Sequence, residues 1–442
     1  MSLIRRQLLT AGAAGLAFSG LARFARAQSA ETYINEVEGY GPLKTDPGGL
    51  LDLPEGFTYQ VISQSGDTMD DGLFVPGQPD GMGCFDLGGG RVALVRNHEL
   101  KGSSALHRNL GPGGLNQERI NGVDASRAYD TYKDGRPLPG GTTTLIYDLG
   151  SCRTVRENLS LIGTSTNCCG GITPWGSWLT CEENTELPES DDVTRPHGFV
   201  FEVPATAGGL VEPVPLKAMG RFDHEAVCID PRTGIVYLTE DMNDGLFYRF
   251  IPNTPGRLVE GGKLQAMAIR GRTGADTRNQ DDRLWNVGDW LEVDWIDLED
   301  VEAPKDDLRQ RGHAAGAALV ARGEGLWWGT GELYLTATSG GPIRRGQVMR
   351  LQPNVDGGPD RLQLFVESTD EKMVNMADNL TIAPWGDLIL CEDNYSREIR
   401  NHIKGVTPDG KLYTIARNVF TGNSEFAGAC FSPDGQVLFV NI

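Results

Sequence analysis

The chain has few histidines and few basic residues. Its 442 residues include six His, and 60 Asp and Glu stand against 40 Lys and Arg, which gives a formal net charge of −20. Six scattered histidines are too few for a histidine-rich metal site. A strongly acidic surface repels nucleic acid and anionic lipid. It would also repel a phosphate substrate, unless bound cations neutralise many of the carboxylates.

Several common catalytic motifs are missing as well. The sequence contains no G-x-S-x-G elbow, no H-E-x-x-H helix, no Walker loop and no complete EF-hand, although Asp241–Gly245 partly resembles a calcium loop. The eight cysteines form no C-x-x-C and no Cys/His zinc spacing. These absences argue against serine hydrolases, zincins, P-loop enzymes and zinc-finger domains.

Long apolar runs are also missing beyond the N-terminus. Arg5 and Arg6 precede a mildly apolar stretch at Leu8–Ala22 and an A-x-A site at Ala25–Ala27, a pattern typical of a twin-arginine export signal cleaved after Ala27. A membrane anchor is the alternative, but fifteen residues rich in Gly and Ala are too short to span a bilayer. We therefore expect a signal peptide over residues 1–27.

The mature protein expected from this signal is a single domain over residues 28–442 with a net charge of −24, since residues 1–27 contain four Arg and no acidic residue. We expect it to pass through the twin-arginine translocation machinery and to be periplasmic or secreted. It would keep no stable membrane span and would be a monomer that does not bind nucleic acid.

What the chain does contain is glycine, proline and a repeated strand. It has 58 Gly, 24 Pro and 39% hydrophobic residues, which favours one large all-β domain with many turns. A short element recurs six times, each time as a turn, a Gly, an apolar strand and then polar or acidic residues. The copies are Asp86–Glu99, Thr173–Asn184, Asp230–Asp244, Trp327–Gly341, Ala383–Asn394 and Ser432–Ile442.

Six β-units at irregular intervals predict a six-bladed β-propeller. The repeated element is expected to be the innermost strand of each blade, so that all six strand ends face one another across the channel. Thr58–Ser63 is expected to supply a strand that closes the last blade. The long insertions at Gly102–Gly140, Glu186–Arg195 and Arg270–Arg311 would cap the channel mouth.

Carboxylates and amides at the strand ends are the candidate metal ligands, because oxygen ligands suit calcium. A single acid pair is more simply solvated or ion-paired, but the repetition favours a ring of ligands. The predicted set is Asn97, Glu99, Glu182, Glu183, Glu225, Glu240, Glu324, Asp378, Asn379, Glu392 and Asp393. Further candidates are His98, His224, Asp241 and Glu425.

Two adjacent thiols and one arginine complete the candidate site. Cys168 and Cys169 precede Gly170 and Gly171, which would let the backbone approach a softer transition metal. A vicinal disulfide or a buried thiol pair is the alternative. Arg322 could bind a phosphate or sulfate group through its planar fork, or it could form an ion pair with Glu324.

These motifs resemble the PhoX family of bacterial alkaline phosphatases. The resemblance rests on LVRNHE, NCCGG followed by TPWG, GRFDHEA, ARGEG and SEFAGACF, in the same order from about residue 50 to the C-terminus. It implies a six-bladed propeller and a cluster of two Fe³⁺ and three Ca²⁺ at the channel mouth. It also implies that Cys168 bridges the irons and that Arg322, Glu324 and Cys168 are the catalytic residues.

The sequence thus predicts an exported, metal-dependent phosphatase that hydrolyses phosphate monoesters at alkaline pH. One residue departs from the family pattern: Cys169, the second Cys of NCCGG, stands where the family usually has the small residue Ala. A calcium-dependent propeller lactonase or esterase would use the same acidic ring without iron. A non-catalytic periplasmic binding propeller is the third class.

Overall fold

The computed structural model describes residues 32–116, 119–120, 123–396, 399–420 and 424–442. Almost all of its regular structure is β. The described ranges contain three short helices, α1 (Ala105–Leu110), α2 (Pro112–Leu115) and α3 (Leu308–Ala314). None of the helices in these ranges is long and apolar enough to cross a bilayer. The predicted signal peptide lies outside the described residues.

The strands form six consecutive units after two short strands, β1 (Leu43–Lys44) and β2 (Leu51–Pro54). Unit 1 consists of β3 (Pro79–Gly88), β4 (Arg91–His98), β5 (Gly140–Asp148) and β6 (Arg153–Thr164). Unit 2 consists of β7 (Asn167–Ile172), β8 (Ser177–Glu182) and β9 (Val200–Pro204). Unit 3 consists of β10 (His224–Ile229), β11 (Val236–Glu240), β12 (Phe247–Pro252) and β13 (Gly262–Ile269).

The remaining strands follow in the same way. After β14 (Trp290–Asp297), unit 4 consists of β15 (Gly323–Trp328), β16 (Leu333–Ala337), β17 (Gln347–Gln352) and β18 (Asp360–Glu367). Unit 5 consists of β19 (Ala377–Ile382), β20 (Leu388–Glu392), β21 (His402–Val406) and β22 (Leu412–Asn418), and unit 6 of β23 (Ala427–Phe431) and β24 (Leu438–Asn441).

Within each unit, neighbouring strands pair antiparallel in chain order. Strand β14 pairs with both β13 and β18, so units 3 and 4 share one nine-stranded sheet. Strand β2 pairs with β22 and adds the N-terminal strands to unit 5. The prediction that Thr58–Ser63 supplies the closing strand is wrong, because this segment has no strand structure. Its Ile62 instead packs against apolar residues of units 1 and 6.

The first strands of the six units contact one another in a ring. Strand β3 contacts β7, and the contacts continue through β10, β15, β19 and β23 back to β3. This corrects the predicted place of the repeated element, which forms the second strand of each unit (β4, β8, β11, β16, β20 and β24) and not the innermost one. The turn that opens each repeat joins it to the preceding strand, and that preceding strand lies in the ring.

Glycine lets the ring strands approach closely. A Cβ on Gly171 would lie 1.8 Å from the carbonyl oxygen of Val227 on β10, and one on Gly325 would lie 2.5 Å from that of Asp378 on β19. The Gly170–Gly171 pair was expected to admit a metal, but the contact at Gly171 is with a neighbouring strand. Outside the ring, both faces of a strand are buried. Val236 and Leu238 pack in one apolar cluster, and Tyr237 between them packs in another.

Candidate metal centre

Nine acidic and thiol side chains converge at one end of the ring. They fall into four groups in which the ligand atoms lie within 4.8 Å of one another, and the groups share members. We call the whole set the acidic centre. It consists of Asp80, Glu99, Cys168, Glu183, Glu225, Glu324, Asp378, Asp393 and Glu425.

Five members of the acidic centre occupy the same position in five ring strands. Asp80, Cys168, Glu225, Glu324 and Asp378 are the second residues of β3, β7, β10, β15 and β19. In all six ring strands the pairing with the second strand slips just after the first residue, which marks a β-bulge. Because a bulge redirects the side chain at that point, the repeated bulge delivers one ligand per strand. In β23 the equivalent residue is Gly428.

Asp80 is the member of the centre that sequence reasoning missed. Its neighbours P-D-G-M-G share no motif with the other ligands, and it precedes the repeated element instead of following it. An alignment of the ring strands, rather than the second strands, would have placed it level with Cys168 and Glu225. Asp80 could therefore have been found only from its position along the ring strand, and not from a sequence motif.

Three other members come directly after second strands. Glu99, Glu183 and Asp393 follow the last residues of β4, β8 and β20. Asp241 follows β11 in the same way and binds Arg322. Glu425 lies two residues before β23.

The first acid of each pair faces away from the centre, because successive side chains of a strand point to opposite faces. Glu182 accepts hydrogen bonds from the backbone N–H of Ser165 (3.0 Å) and from His197 Nδ1 (2.6 Å). Glu240 accepts from Tyr248 Oη at 2.7 Å. The structure therefore does not bring these two predicted ligands into the acidic centre.

Glu392 repeats this arrangement in unit 5. Its carboxylate accepts hydrogen bonds from the backbone N–H groups of Asn375 and His402, both at 2.9 Å, and from His402 Nδ1 at 2.9 Å. Only its neighbour Asp393 reaches the centre. In the predicted pairs of units 2, 3 and 5, the first carboxylate thus ties the strand end to the protein, and the second either reaches the centre or binds Arg322.

The two predicted amide ligands hold the backbone around the centre. Asn97 Nδ2 donates to the carbonyl oxygens of Cys168 (3.0 Å) and Cys169 (2.7 Å), and its Oδ1 accepts from Trp178 Nε1 (2.9 Å). Asn379 Nδ2 donates to Asp378 Oδ1 at 2.9 Å, and its Oδ1 accepts from the N–H of Gly428 at 2.8 Å. Both amides position ligands and have their own polar atoms occupied.

The two adjacent thiols have different surroundings. The structure describes all eight cysteines, and none is joined in a disulfide, so the vicinal disulfide is not present. Cys168 belongs to the acidic centre, and its thiol donates to the carboxylate of Glu225. Cys169 packs in an apolar cluster with Ala226 and Tyr237. Only the first thiol is therefore grouped with the carboxylates.

The predicted histidines serve the backbone and not the centre. His98 is bonded through Nδ1 to the carbonyl oxygen of Gly77 and through Nε2 to Thr143, at 2.9 and 3.0 Å. His224 Nε2 lies 3.0 Å from the carbonyl oxygen of Gly220. Burial lowers the pKa of both imidazoles to about 3, so both are neutral.

Burial and mutual repulsion raise the pKa values of the carboxylates in the centre. Burial, with repulsion by neighbouring acids, raises the pKa of Glu99 and of Asp378 to about 7. The same causes raise the pKa of Glu225 well above its ordinary value. Asp80 Oδ1 is buried and has no hydrogen-bond partner among the described residues. So many buried carboxylates require protons or cations for neutrality, and their oxygen atoms fit hard cations.

Arg322 lies beside the centre and is held by two carboxylates. Its Nε and Nη2 donate to the two oxygens of Asp241 at 2.7 and 3.0 Å, and Nη2 also donates to Glu324 at 2.7 Å. The ion pair with Glu324, the simpler alternative at the sequence level, is therefore present. Burial alone would lower the pKa of the guanidinium, but Glu324 and Asp241 outweigh it and raise the pKa. Nη1 makes no hydrogen bond to any described residue.

Comparison with known proteins identifies the family of the chain and solved structures with a similar fold. A family model described as "Alkaline phosphatase PhoX" matches residues 38–442, and no curated protein matches the chain. The structure of Pseudomonas fluorescens PhoX in complex with vanadate, a transition state analogue, is similar at 18% identity. It covers 93% of both chains with a TM-score of 0.67. A gluconolactonase from Xanthomonas campestris gives 14% identity over 67% of this chain and 78% of that chain, with a TM-score of 0.37.

Proposed function

The chain belongs to the PhoX family of alkaline phosphatases and is a phosphoric monoester hydrolase, and from this premise we propose that the acidic centre is where the ester bond is cleaved. One observation carries the proposal: nine buried or partly buried acidic and thiol groups converge beside a single arginine. A phosphate dianion can approach such a centre only when cations neutralise it.

The donor set divides into two kinds of cation site. The group of Cys168, Glu183 and Glu225 contains the only thiol of the centre. A thiolate ligand prefers a transition metal, which is softer than calcium. The other three groups are carboxylates only and suit calcium. We therefore propose a transition metal at the thiol side and calcium on the remaining carboxylates; the resemblance to the family implies that these ions are two Fe³⁺ and three Ca²⁺. When bound, these cations supply charge neutralisation and an activated oxygen nucleophile.

The residues of the chain would orient the ester. Arg322 keeps one nitrogen, Nη1, free of hydrogen bonds to described residues, while its other donors are fixed by Asp241 and Glu324. We propose that this nitrogen donates to an oxygen of the phosphoryl group as negative charge develops there. Glu324 would act twice, as a ligand and as the group that orients Arg322.

The ring of six strands supports a six-bladed propeller as the architecture that holds this centre. Each ring strand would be the innermost strand of one blade, with the shared sheet of units 3 and 4 as two blades joined by β14. A propeller brings equivalent strand ends to one place. That property explains how residues from 80 to 425 meet in a single cluster.

We further propose that the enzyme works outside the cytoplasm. The N-terminal Arg5–Arg6 pattern supports delivery by the twin-arginine machinery, which carries folded proteins, to the periplasm or medium. In this proposal residues 28–442 form one domain that acts as a monomer.

The decisive experiment combines elemental analysis with turnover of an aryl phosphate. Protein from an export-competent host should contain calcium and iron, lose activity with a chelator and regain it when cations return. Asp378→Asn should lower kcat/KM by at least about 100-fold, because losing a ligand costs more than the 10–100-fold typical of groups behind a ligand. The surface variant Asp434→Asn is the control. Turnover that survives complete metal removal would contradict the proposal, and full turnover of the aryl phosphate with calcium alone would contradict the assignment of iron.

A further inference from the structure

A cavity of about 290 Å³ opens beside the acidic centre. Glu183 lines it and also belongs to the centre. The other residues that matter here are Lys101, Thr185, Glu186, Asp191 and Asp223. The cavity is therefore close enough to the centre to receive the leaving group of a substrate whose phosphoryl group is held there.

The walls of the cavity are polar throughout. Seven residues line it, and every one of them is charged or carries an amide or a hydroxyl group. Small-molecule sites are usually lined by apolar and aromatic side chains, with volumes of roughly 300–1,000 Å³. This cavity is at the small end and offers no surface on which an aromatic ring could stack. Its chemistry instead matches hydroxyl groups, which donate to carboxylates and accept from an ammonium group.

Several polar groups in the cavity are free to bind a ligand. Lys101 is exposed, and its backbone N–H is fixed by His107 Nδ1 at 3.0 Å. Its ammonium makes no hydrogen bond or ion pair with any described residue. The hydroxyl of Thr185 and the carboxylate of Asp223 likewise have no hydrogen-bond partner among the described side chains. An ammonium left unpaired beside several carboxylates is available to a ligand.

Two carboxylates of the cavity wall, those of Glu186 and Asp191, are fixed through one oxygen each. Glu186 Oε2 accepts from Ser165 Oγ at 3.2 Å, and Asp191 Oδ2 accepts from the backbone N–H of Leu187 and from Ser190 Oγ, both at 2.8 Å. The second oxygen of each carboxylate accepts nothing from the part of the chain that the structure describes. These oxygens can accept hydrogen bonds without any rearrangement, and their charge would repel a leaving group that carries a second anion.

We propose that this cavity is a leaving-group subsite that selects phosphate monoesters of polyhydroxylated alcohols, such as sugars, over aryl phosphates. The proposal rests on the proposed function, since the acidic centre must hold the phosphoryl group. Hydroxyl groups of the sugar donate to Glu186, Asp191 and Asp223 and accept from Lys101 and Thr185. A site built to bind hydroxyls discriminates strongly against a substrate that lacks them.

Binding of two nonhydrolysable phosphonates tests the subsite separately from catalysis. The phosphonate analogue of glucose 6-phosphate and phenylphosphonate are titrated into metal-loaded protein by calorimetry, and we expect the sugar analogue to bind more tightly. In Thr185→Val and Lys101→Met the ratio of the two Kd values should shift toward phenylphosphonate by roughly fivefold, the size of one lost hydrogen bond. Lys263→Met, at an exposed ion pair with Asp297, is the matched control and should keep the wild-type ratio.

The same proteins are then assayed with glucose 6-phosphate and 4-nitrophenyl phosphate. We expect the ratio of their kcat/KM values to follow the ratio of phosphonate affinities. Tighter binding of phenylphosphonate by the wild type, or an unchanged Kd ratio in both lining variants, overturns the subsite. Failure of the wild type to turn over either ester contradicts the proposed function, and the phosphonate titrations still decide whether the cavity selects sugars.

Discussion

At the scale of single residues, neighbours in the sequence have unrelated roles. Cys168 and Cys169 are adjacent, yet the first lies among carboxylates and the second packs among apolar side chains. Composition treats the two thiols alike, and only the bulge in β7 decides which one reaches the centre. A thiol grouped with carboxylates is the feature that separates a mixed iron and calcium site from a site for calcium alone.

Replacing these two thiols one at a time should give opposite results. We expect Cys168→Ser to lose iron while it retains calcium, and to lose at least about 100-fold in kcat/KM, because a direct ligand matters more than the groups behind it. Cys169→Ser should keep both metals and lose stability only. Elemental analysis and turnover of an aryl phosphate measure both effects. Full iron content in Cys168→Ser would contradict the assignment.

His197 is buried between two carboxylates and should link stability to alkaline pH. Burial alone would lower its pKa, but Glu182 and Asp130 outweigh it and raise the pKa to about 10. The ring nitrogens lie 2.6 and 3.1 Å from these carboxylates. The native state therefore holds a proton that the unfolded state releases near pH 6.5. The stability that this proton gives is complete below pH 6.5 and is lost as the pH rises toward 10.

His197→Gln measures this contribution. Near pH 6 the melting temperature of the variant should lie furthest below that of the wild type. At that pH we expect the unfolding free energy of the variant to be lower by something on the order of a few kcal/mol. The difference should shrink steadily between pH 6.5 and 10. Both proteins are compared loaded with metal, so that the acidic centre contributes equally. A difference that stays constant with pH would show that the imidazole is neutral in the native protein.

At the scale of the strand, one short pattern performs two tasks. In units 2 and 5 the last residue of the second strand ties the strand end to the protein, and the next residue, Glu183 or Asp393, points into the centre. Glu392 and Asp393 are adjacent and show the two roles: Glu392 is hydrogen-bonded to His402, and Asp393 belongs to the acidic centre. The ring strand beside them adds Asp378 through its bulge. Unit 5 thus contributes two carboxylates to the acidic centre, Asp378 and Asp393, while the third, Glu392, holds the strand end.

Two conservative substitutions in this pair should separate stability from function. Glu392→Gln loses a charged acceptor for His402 and for two backbone N–H groups, and we expect a loss of about 1–3 kcal/mol in unfolding free energy. Its metal content should stay the same. Asp393→Asn should instead lose metal and most activity, with no loss of stability in the metal-free protein. Calorimetry and elemental analysis on both variants check this, and equal metal loss in the two would contradict the division.

How much the sequence could predict also depends on the strand. The repeated Gly, apolar strand and acid pair correctly indicated an almost all-β chain, and three of the acids that follow these strands, Glu99, Glu183 and Asp393, do lie in one cluster. They could not indicate which acid of a pair faces inward, because a shift of one residue in register moves every side chain to the other face. Asp80 escaped for the same reason, since its position is defined by a bulge in β3 and by no motif. Glu182, Glu240 and Glu392 match the motif, but their side chains lie on the strand face that points away from the acidic centre.

At the scale of the whole molecule, the acidic centre should link the stability of the fold to bound cations. Residues from all six units or their flanks meet there, and their charges repel one another in the absence of metal. The pKa values of Glu99 and Asp378 are raised to about 7 from ordinary values near 4. A group with a raised native pKa favours the folded state below its unfolded value and loses that contribution as the pH rises through its folded value.

The metal-free protein should therefore lose stability as the pH rises from about 5 to 8, whereas the cation-loaded protein should not. With a chelator present, we expect the melting temperature to fall across this range, because carboxylates of the centre ionise without a counterion. Added calcium should raise it, and by more at pH 8 than at pH 5, since deprotonated carboxylates bind the cation and the bound state gains the binding free energy. Asp378→Asn removes one of the repelling charges, so its metal-free form should lose less stability over the same range, and Asp434→Asn at the surface should behave as the wild type. Parallel melting curves with and without cations at every pH would mean that the centre does not hold the charge that its geometry implies.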